Sequence, residues 1–131
     1  MPALPWTGFP DADDGSKVVV MASRLEVRSF KDVPGFFRAS MTVLRQAKES
    51  DGIRGVALKA DLARRTFWTV SVWRDRDAVH AYAAAEPHRS TMRRKRAVMR
   101  DSTFVFWDAE TADPVPWDEV ERRITAQRAT A

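Results

Sequence analysis

FWTVSVWRDRDAVHAYAAAEPHRSTM, residues 67 to 92, is the stretch whose reading decides the fold. Along an extended chain Phe67, Thr69, Ser71 and Trp73 share one face, and Trp68, Val70 and Val72 share the other. Both faces carry bulky apolar groups, which is the pattern of a strand covered on both sides. Asp75 then stands as an N-cap before the stripe Ala78, Val79, Tyr82 and Ala83, which predicts a helix. Glu86-Pro87 interrupts that helix, because the residue before a proline is pushed out of the helical region. Pro87 can itself open a second helix, predicted to run to about Arg100.

Upstream, IRGVALKAD (53 to 61) precedes RTFWTVSVW (65 to 73) with Leu62 to Arg64 between them, a hairpin length. Before that hairpin, Asp32 is a plausible cap, with Pro34 in the first turn of a helix. Phe37, Met41, Leu44 and Ala47 form its stripe, Phe36, Ser40 and Val43 lie on the margins, and Asp51-Gly52 marks its end. KVVVMASRLEV (17 to 27) is β-branched and apolar without clean alternation, as expected of a central strand. Residues 1–16 are rich in proline and acid and predict an irregular arm anchored by Trp6 and Phe9.

Downstream, TFVFWD (103 to 108) predicts a last strand. After the breaker DPVP, Trp117, Val120 and Ile124 mark a short C-terminal helix that packs on the body or on a partner. The expected organisation is thus an arm (1–16), a folded unit (17–109), and a linker with a short helix (110–131). The order strand, helix, strand, strand, helix, strand is the α+β, ferredoxin-like (split βαβ) arrangement, one antiparallel sheet with helices on one face. Since the strands are apolar on both faces, the second face must meet something else, most economically another copy. The expectation is a homodimer whose two sheets form a dimeric α/β barrel.

Composition narrows the function classes. At 131 residues, 44% hydrophobic and 31% charged, the chain suits one globular domain. Without cysteine it has no disulfide, no thiolate nucleophile and no cysteine-held metal. The N-terminus lacks a basic region and an apolar run, and no segment approaches the roughly 20 apolar residues of a membrane-spanning helix. A cytoplasmic protein without membrane contact is expected. The net charge of +4 raises the question of nucleic acid, but helical spacing spreads Arg89, Arg93, Arg94, Lys95, Arg96 and Arg100 over several faces without interleaved aromatic residues. A solvated helix surface, and no nucleic-acid partner, is the expectation.

The order of elements, together with the stretch from Phe67 to Met92, resembles the dimeric α/β-barrel superfamily, namely the antibiotic-biosynthesis-monooxygenase-like proteins and the related family DUF3291. Those families show a strand ending in tryptophan, an acidic-capped helix, and a histidine followed by a basic residue, here Trp73, Asp75, His88 and Arg89. The resemblance covers residues 17 to 109 and implies a ligand cavity between the sheet and the helices. Characterised members include cofactor-independent monooxygenases that oxidise aromatic polyketides with dioxygen, heme-degrading enzymes, isomerases and dehydratases. The heme degraders' essential asparagine falls at Ser23, their ruffling tryptophan at Tyr82 and their iron-ligating histidine at about Met92. All three differ, so that mechanism is not expected, although His88, one turn from Met92, offers an imidazole.

Two histidines are available. His88 opens a helix, where the dipole and Arg89 favour the neutral imidazole of a base or ligand; capping or packing is the structural alternative. His80 lies some 100° around the helix from Val79 and is expected at solvent or a dimer seam. Phe67, Ser71 and Trp73 mix aromatic and hydroxyl groups, as pockets do, though Trp73 serves a core equally well. Tyr82 could donate to a bound quinone or phenolate, or simply fill the core. Ser23 precedes Arg24, whose charge sits on the strand face of Val18, Val20 and Ala22 and needs either an anionic ligand or a carboxylate such as Glu26.

No phosphate loop, nucleophile elbow or His-x-x-x-His pair is present, and bound flavin, nicotinamide or metal is not supported. The expected function is a small monooxygenase-like enzyme acting, without flavin or metal, on an apolar aromatic or polycyclic molecule. His88 would be its base, Tyr82 an orienting donor, and Phe67, Ser71, Trp73, Arg24 and Ser23 its substrate contacts. The alternatives are a non-catalytic dimer that binds a hydrophobic ligand such as heme, and an isomerase or lyase using the same pocket.

Overall fold

Ten consecutive residues, mostly β-branched or small and apolar, make β2 (Val18–Val27) the middle of the molecule. It pairs antiparallel with β4 (Thr66–Trp73) on one side and with β5 (Met99–Ala109) on the other. β3 (Ile53–Asp61) pairs with β4, and β1 (Thr7–Gly8) adds two residues at the edge of β3. The sheet order is β1-β3-β4-β2-β5 in the computed structural model, which describes residues 3–130. The β3–β4 turn is a 3-10 turn (Leu62–Arg64) in which the Asp61 carboxylate accepts from the Arg64 N–H at 3.4 Å. Arg65 leaves it in the left-handed conformation, φ 53°. This is an α+β, ferredoxin-like antiparallel sheet.

Three helices, α1 (Val33–Lys48), α2 (Arg76–Ala84) and α3 (His88–Lys95), lie on one face. Under α1 and α2 the core joins Leu44, Ala47, Leu58, Trp73, Val79 and Tyr82; a second cluster joins Phe36, Phe67, Leu25 and Val27. The fourth helix, α4 (Trp117–Ala129), lies on the opposite face. Its Val120 and Ile124 are fully buried against Val18, Val20, Ala22, Val70 and Val72. Helices confined to one face, as expected from the strand-helix order, therefore describe α1 to α3 only. The second apolar face is closed within the chain, by α4 together with Trp6, Trp107 and Trp117.

Four further details depart from the sequence expectation. The helix predicted to reach Arg100 stops at Lys95, and β5 begins at Met99, because Met99 to Ser102 join the ladder beside Leu25 to Val27. The buried stripe of α1 is Phe36, Ser40, Leu44 and Ala47, turned from the predicted one so that Phe36 meets Phe67 at 4.9 Å between ring centroids while Phe37 is 39% exposed. Asp32 makes no side-chain cap bond; Ser29 caps the preceding 3-10 turn instead. The arm, expected to be irregular, docks on β3 through the Leu4 N–H to Leu58 (2.8 Å) and the Phe9 N–H to Arg54 (3.1 Å). Trp6 packs its ring against Gly55, where any Cβ would collide with it. No helix among the described residues is long and apolar enough to cross a membrane.

Candidate functional site

Two features of β2 and β4 open a space beneath the helices. On the face under α1 and α3 the middle of each strand carries a small hydroxyl residue, Ser23 on β2 and Ser71 and Thr69 on β4, where a core strand would carry a large aliphatic. Ser23 and Thr69 face each other in register and their hydroxyls hydrogen-bond to one another. Above them lies a cavity of about 70 Å3 walled by Met21, Leu25, Phe36, Val43, Leu44 and Leu58. α3 supplies a further wall through His88, Thr91, Met92 and Lys95, and Tyr82 and Phe104 also line the space.

An aromatic stack forms one end. Trp73, fully buried, donates its indole N–H to Ser71 Oγ at 2.7 Å and packs against Tyr82, 5.0 Å between centroids. Tyr82 in turn meets the His88 ring at 4.7 Å. The Tyr82 hydroxyl donates to the Val43 carbonyl of α1 at 3.2 Å, and burial pushes its pKa well above the usual phenol range. Its proton is thus committed to the backbone.

His88 is held from two sides. Gln46 accepts the His88 backbone N–H at 2.7 Å and donates its own amide to the Tyr82 carbonyl at 3.0 Å, so one side chain of α1 ties the end of α2 to the start of α3. The His88 Nδ1 lies 3.1 Å from the Ala83 carbonyl. A carbonyl only accepts, so Nδ1 carries the proton and Nε2 keeps its lone pair. Burial lowers the His88 pKa, and the bond to Ala83 opposes that only in part. The neutral form expected at this position is therefore favoured, with desolvation as the dominant cause.

Of the residues singled out in the sequence, Ser23, Ser71, Tyr82 and His88 come together on this cavity. Phe67 and Trp73 are fully buried behind its lining. Arg24 points to the other face, 5.5 Å over the Trp68 ring, and pairs with Glu26 (3.3 Å) and Asp101 (3.6 Å). His80 is exposed. Sequence reasoning missed Gln46, Thr91 and Lys95. The last two were discoverable, since 88, 91, 92 and 95 are one helical stripe; nothing local announces Gln46, whose partners lie 36 and 42 residues away.

The heme-degrader positions, Ser23, Tyr82 and Met92, all line this cavity, which at about 70 Å3 does not fit a porphyrin. Among the described residues no three of the histidine, aspartate and glutamate side chains gather as a metal set.

A family model for a domain of unknown function, DUF3291, matches residues 26–130. A search of curated proteins finds no match. Among solved structures the chain is similar to an antibiotic biosynthesis monooxygenase (17% identity, 75% of this chain and 99% of that one, TM-score 0.62). It is also similar to SnoaB, a cofactor-independent oxygenase from Streptomyces nogalater (17%, 72% and 94%, 0.61), and to PA3566 from Pseudomonas aeruginosa (14%, 71% and 94%, 0.64). At these identities the likeness is one of fold.

Proposed function

We propose, from the premise that the chain belongs to the DUF3291 family, that it is a small enzyme of the cofactor-independent monooxygenase type, acting on an aromatic molecule held between the sheet and α1 and α3. The observation that carries this reading is His88, a neutral imidazole whose tautomer is fixed by Ala83 and whose Nε2 lone pair has no partner among the described residues at an apolar cavity. That is the equipment of a general base. The fold shared with SnoaB supports the same chemistry without extending to its substrate.

The reaction needs no external reductant. Nε2 takes a proton from an acidic C–H or O–H, and the resulting anion gives one electron to dioxygen. Where an aryl-flanked CH2 becomes C=O, the carbon loses four electrons, and these reduce one O2 to the carbonyl oxygen and one water. The protein's part is proton removal, orientation and exclusion of bulk water. The Ser23–Thr69 hydroxyl pair supplies polar atoms to orient the ring, while Tyr82 acts as a platform for His88. The cavity is well below the roughly 300–1,000 Å3 of sites that enclose drug-sized ligands, which favours a small ring system over a polycyclic one unless α3 moves.

The test is oxygen uptake by the purified chain with a panel of hydroxyarenes and aryl-flanked carbon acids, beside binding measured on the same compounds. Uptake that falls by about 100-fold or more in His88→Asn, with affinity retained, supports the reading. Binding without uptake would make the protein a ligand carrier, and turnover without uptake an isomerase or lyase.

A further inference from the structure

The inner stripe of α3 has the wrong chemistry for its place. His88, Thr91, Met92 and Lys95 are spaced 0, 3, 4 and 7 and all face the cavity, whose other walls are largely Met, Leu, Val and Phe. A helix recruited only to close an apolar core would carry aliphatic residues at those four positions. Only one of the four, Met92, is apolar.

Lys95 is the sharpest departure. It is half-buried at the cavity, and among the described residues no carboxylate lies within ion-pair distance of it. Lys59, more deeply buried than Lys95, shows how this chain holds a cation in its interior. Lys59 is paired with Glu121 at 3.2 Å and flanked by the Trp68 and Trp117 rings at 5.1 Å each. The Lys95 ammonium has instead been brought against Gly35, so close that a Cβ there would lie 3.4 Å from Nζ. Gly35 is in the first turn of the 16-residue α1, whose N-cap residue, Asp32, makes no side-chain hydrogen bond to the helix. A cation beside the positive end of a helix, with no described carboxylate within ion-pair distance of it, is an arrangement that an incoming negative charge relieves.

We infer that the ligand of this cavity is an aromatic ring bearing an ionised oxygen, with the ring against the α1 and sheet walls and the charge held by Lys95. This rests on the cavity being the binding site of the proposed enzyme and deepens it by naming the substrate class. In the proposed reaction a cation there also stabilises the anion that His88 creates, and so lowers the cost of proton removal. Lys95 is then the residue that selects anionic over neutral rings.

Calorimetric titration of the full chain under nitrogen tests this without turnover, using benzoate and 2-naphthoate against their uncharged amides near neutral pH. The expected result is a preference of at least about tenfold for the anion, lost in Lys95→Met with amide affinity unchanged and largely kept in Lys95→Arg. Equal affinities in the native chain, a preference that survives Lys95→Met, or no binding of any of the four probes overturns the inference. His88→Asn separates it from the oxygenase reading. An anion preference intact in a protein that never consumes oxygen defeats only the oxygenase, and His88-dependent uptake without the preference defeats only the role of Lys95.

Discussion

His88 is the residue on which most of the chemistry depends, and its protonation also has a thermodynamic consequence. Its folded pKa lies below the ordinary imidazole value because burial penalises the charged form. In the unfolded chain the proton binds near the usual 6.5, so between the folded and unfolded values the unfolded state holds more protons, and stability rises with pH. The His88 contribution is fully present above about pH 6.5 and is lost as the pH falls from there through the folded pKa. Urea unfolding between about pH 7 and 5.5 is expected to show this loss in the native chain and a flatter profile in His88→Asn, which keeps a donor for Ala83. Any catalytic rate should fall along the same acid limb. Tyr82 makes the complementary case. Since its proton is given to Val43, Tyr82→Phe is expected to cost about 1 kcal/mol of stability and to leave oxygen uptake within about twofold; a larger loss of uptake with unchanged affinity would restore it as a donor to substrate. Of the two side chains, the sequence made His88 legible through the proline before it. It could not show Tyr82's partner, a backbone carbonyl 39 residues away.

At the level of elements, periodicity located each α-helix and strand between residues 17 and 109, because each is a local pattern. What it misjudged were rotations and ends set by distant partners. The α1 stripe turned toward Phe67, and β5 started early because Val27 and Leu25 were there to pair with it. The same limit hid the place of α4. Trp117, Val120 and Ile124 announced an amphipathic helix, yet the face it would cover depends on a linker and on a sheet that exists only after folding. Once docked, α4 is held by burial of Val120 and Ile124 and by polar links at its ends, Glu121 to Lys59 near the start and Arg128 to Asp101 near the finish. Ile124→Ala is expected to lower stability by about 2–5 kcal/mol, read from the urea midpoint at constant slope. The surface variant Arg122→Ala, on the exposed side of the same helix, should change it by no more than about 0.5 kcal/mol. Similar losses from both would mean that α4 is not packed where Ile124 places it.

For the molecule as a whole, the apolar strands pose one problem with two solutions. A sheet that is hydrophobic on both faces needs a cover for the face that α1 to α3 leave open, and a second copy or the chain's own C-terminus can provide it. Here α4 does. The link from Glu110 to Pro116 keeps it beside its target at an effective concentration that a separate molecule reaches only in the millimolar range. A homodimer built through this face therefore requires α4 to leave first. Replacing Val120 and Ile124 together by Asp should drive that exchange, since two charges cannot stay against Val20, Val70 and Val72. The exposed face is large and continuous, and such surfaces seek partners. The double variant is thus expected to gain mass in light scattering, toward a defined dimer, with its strand content by circular dichroism retained. The native chain at the same concentration should not respond to dilution through contacts on this face. If the double variant gains no mass and stays folded, then the open face does not need α4, and the reason for a closed second face must be sought in Trp6 and Trp107, the large covers that would remain among the described residues.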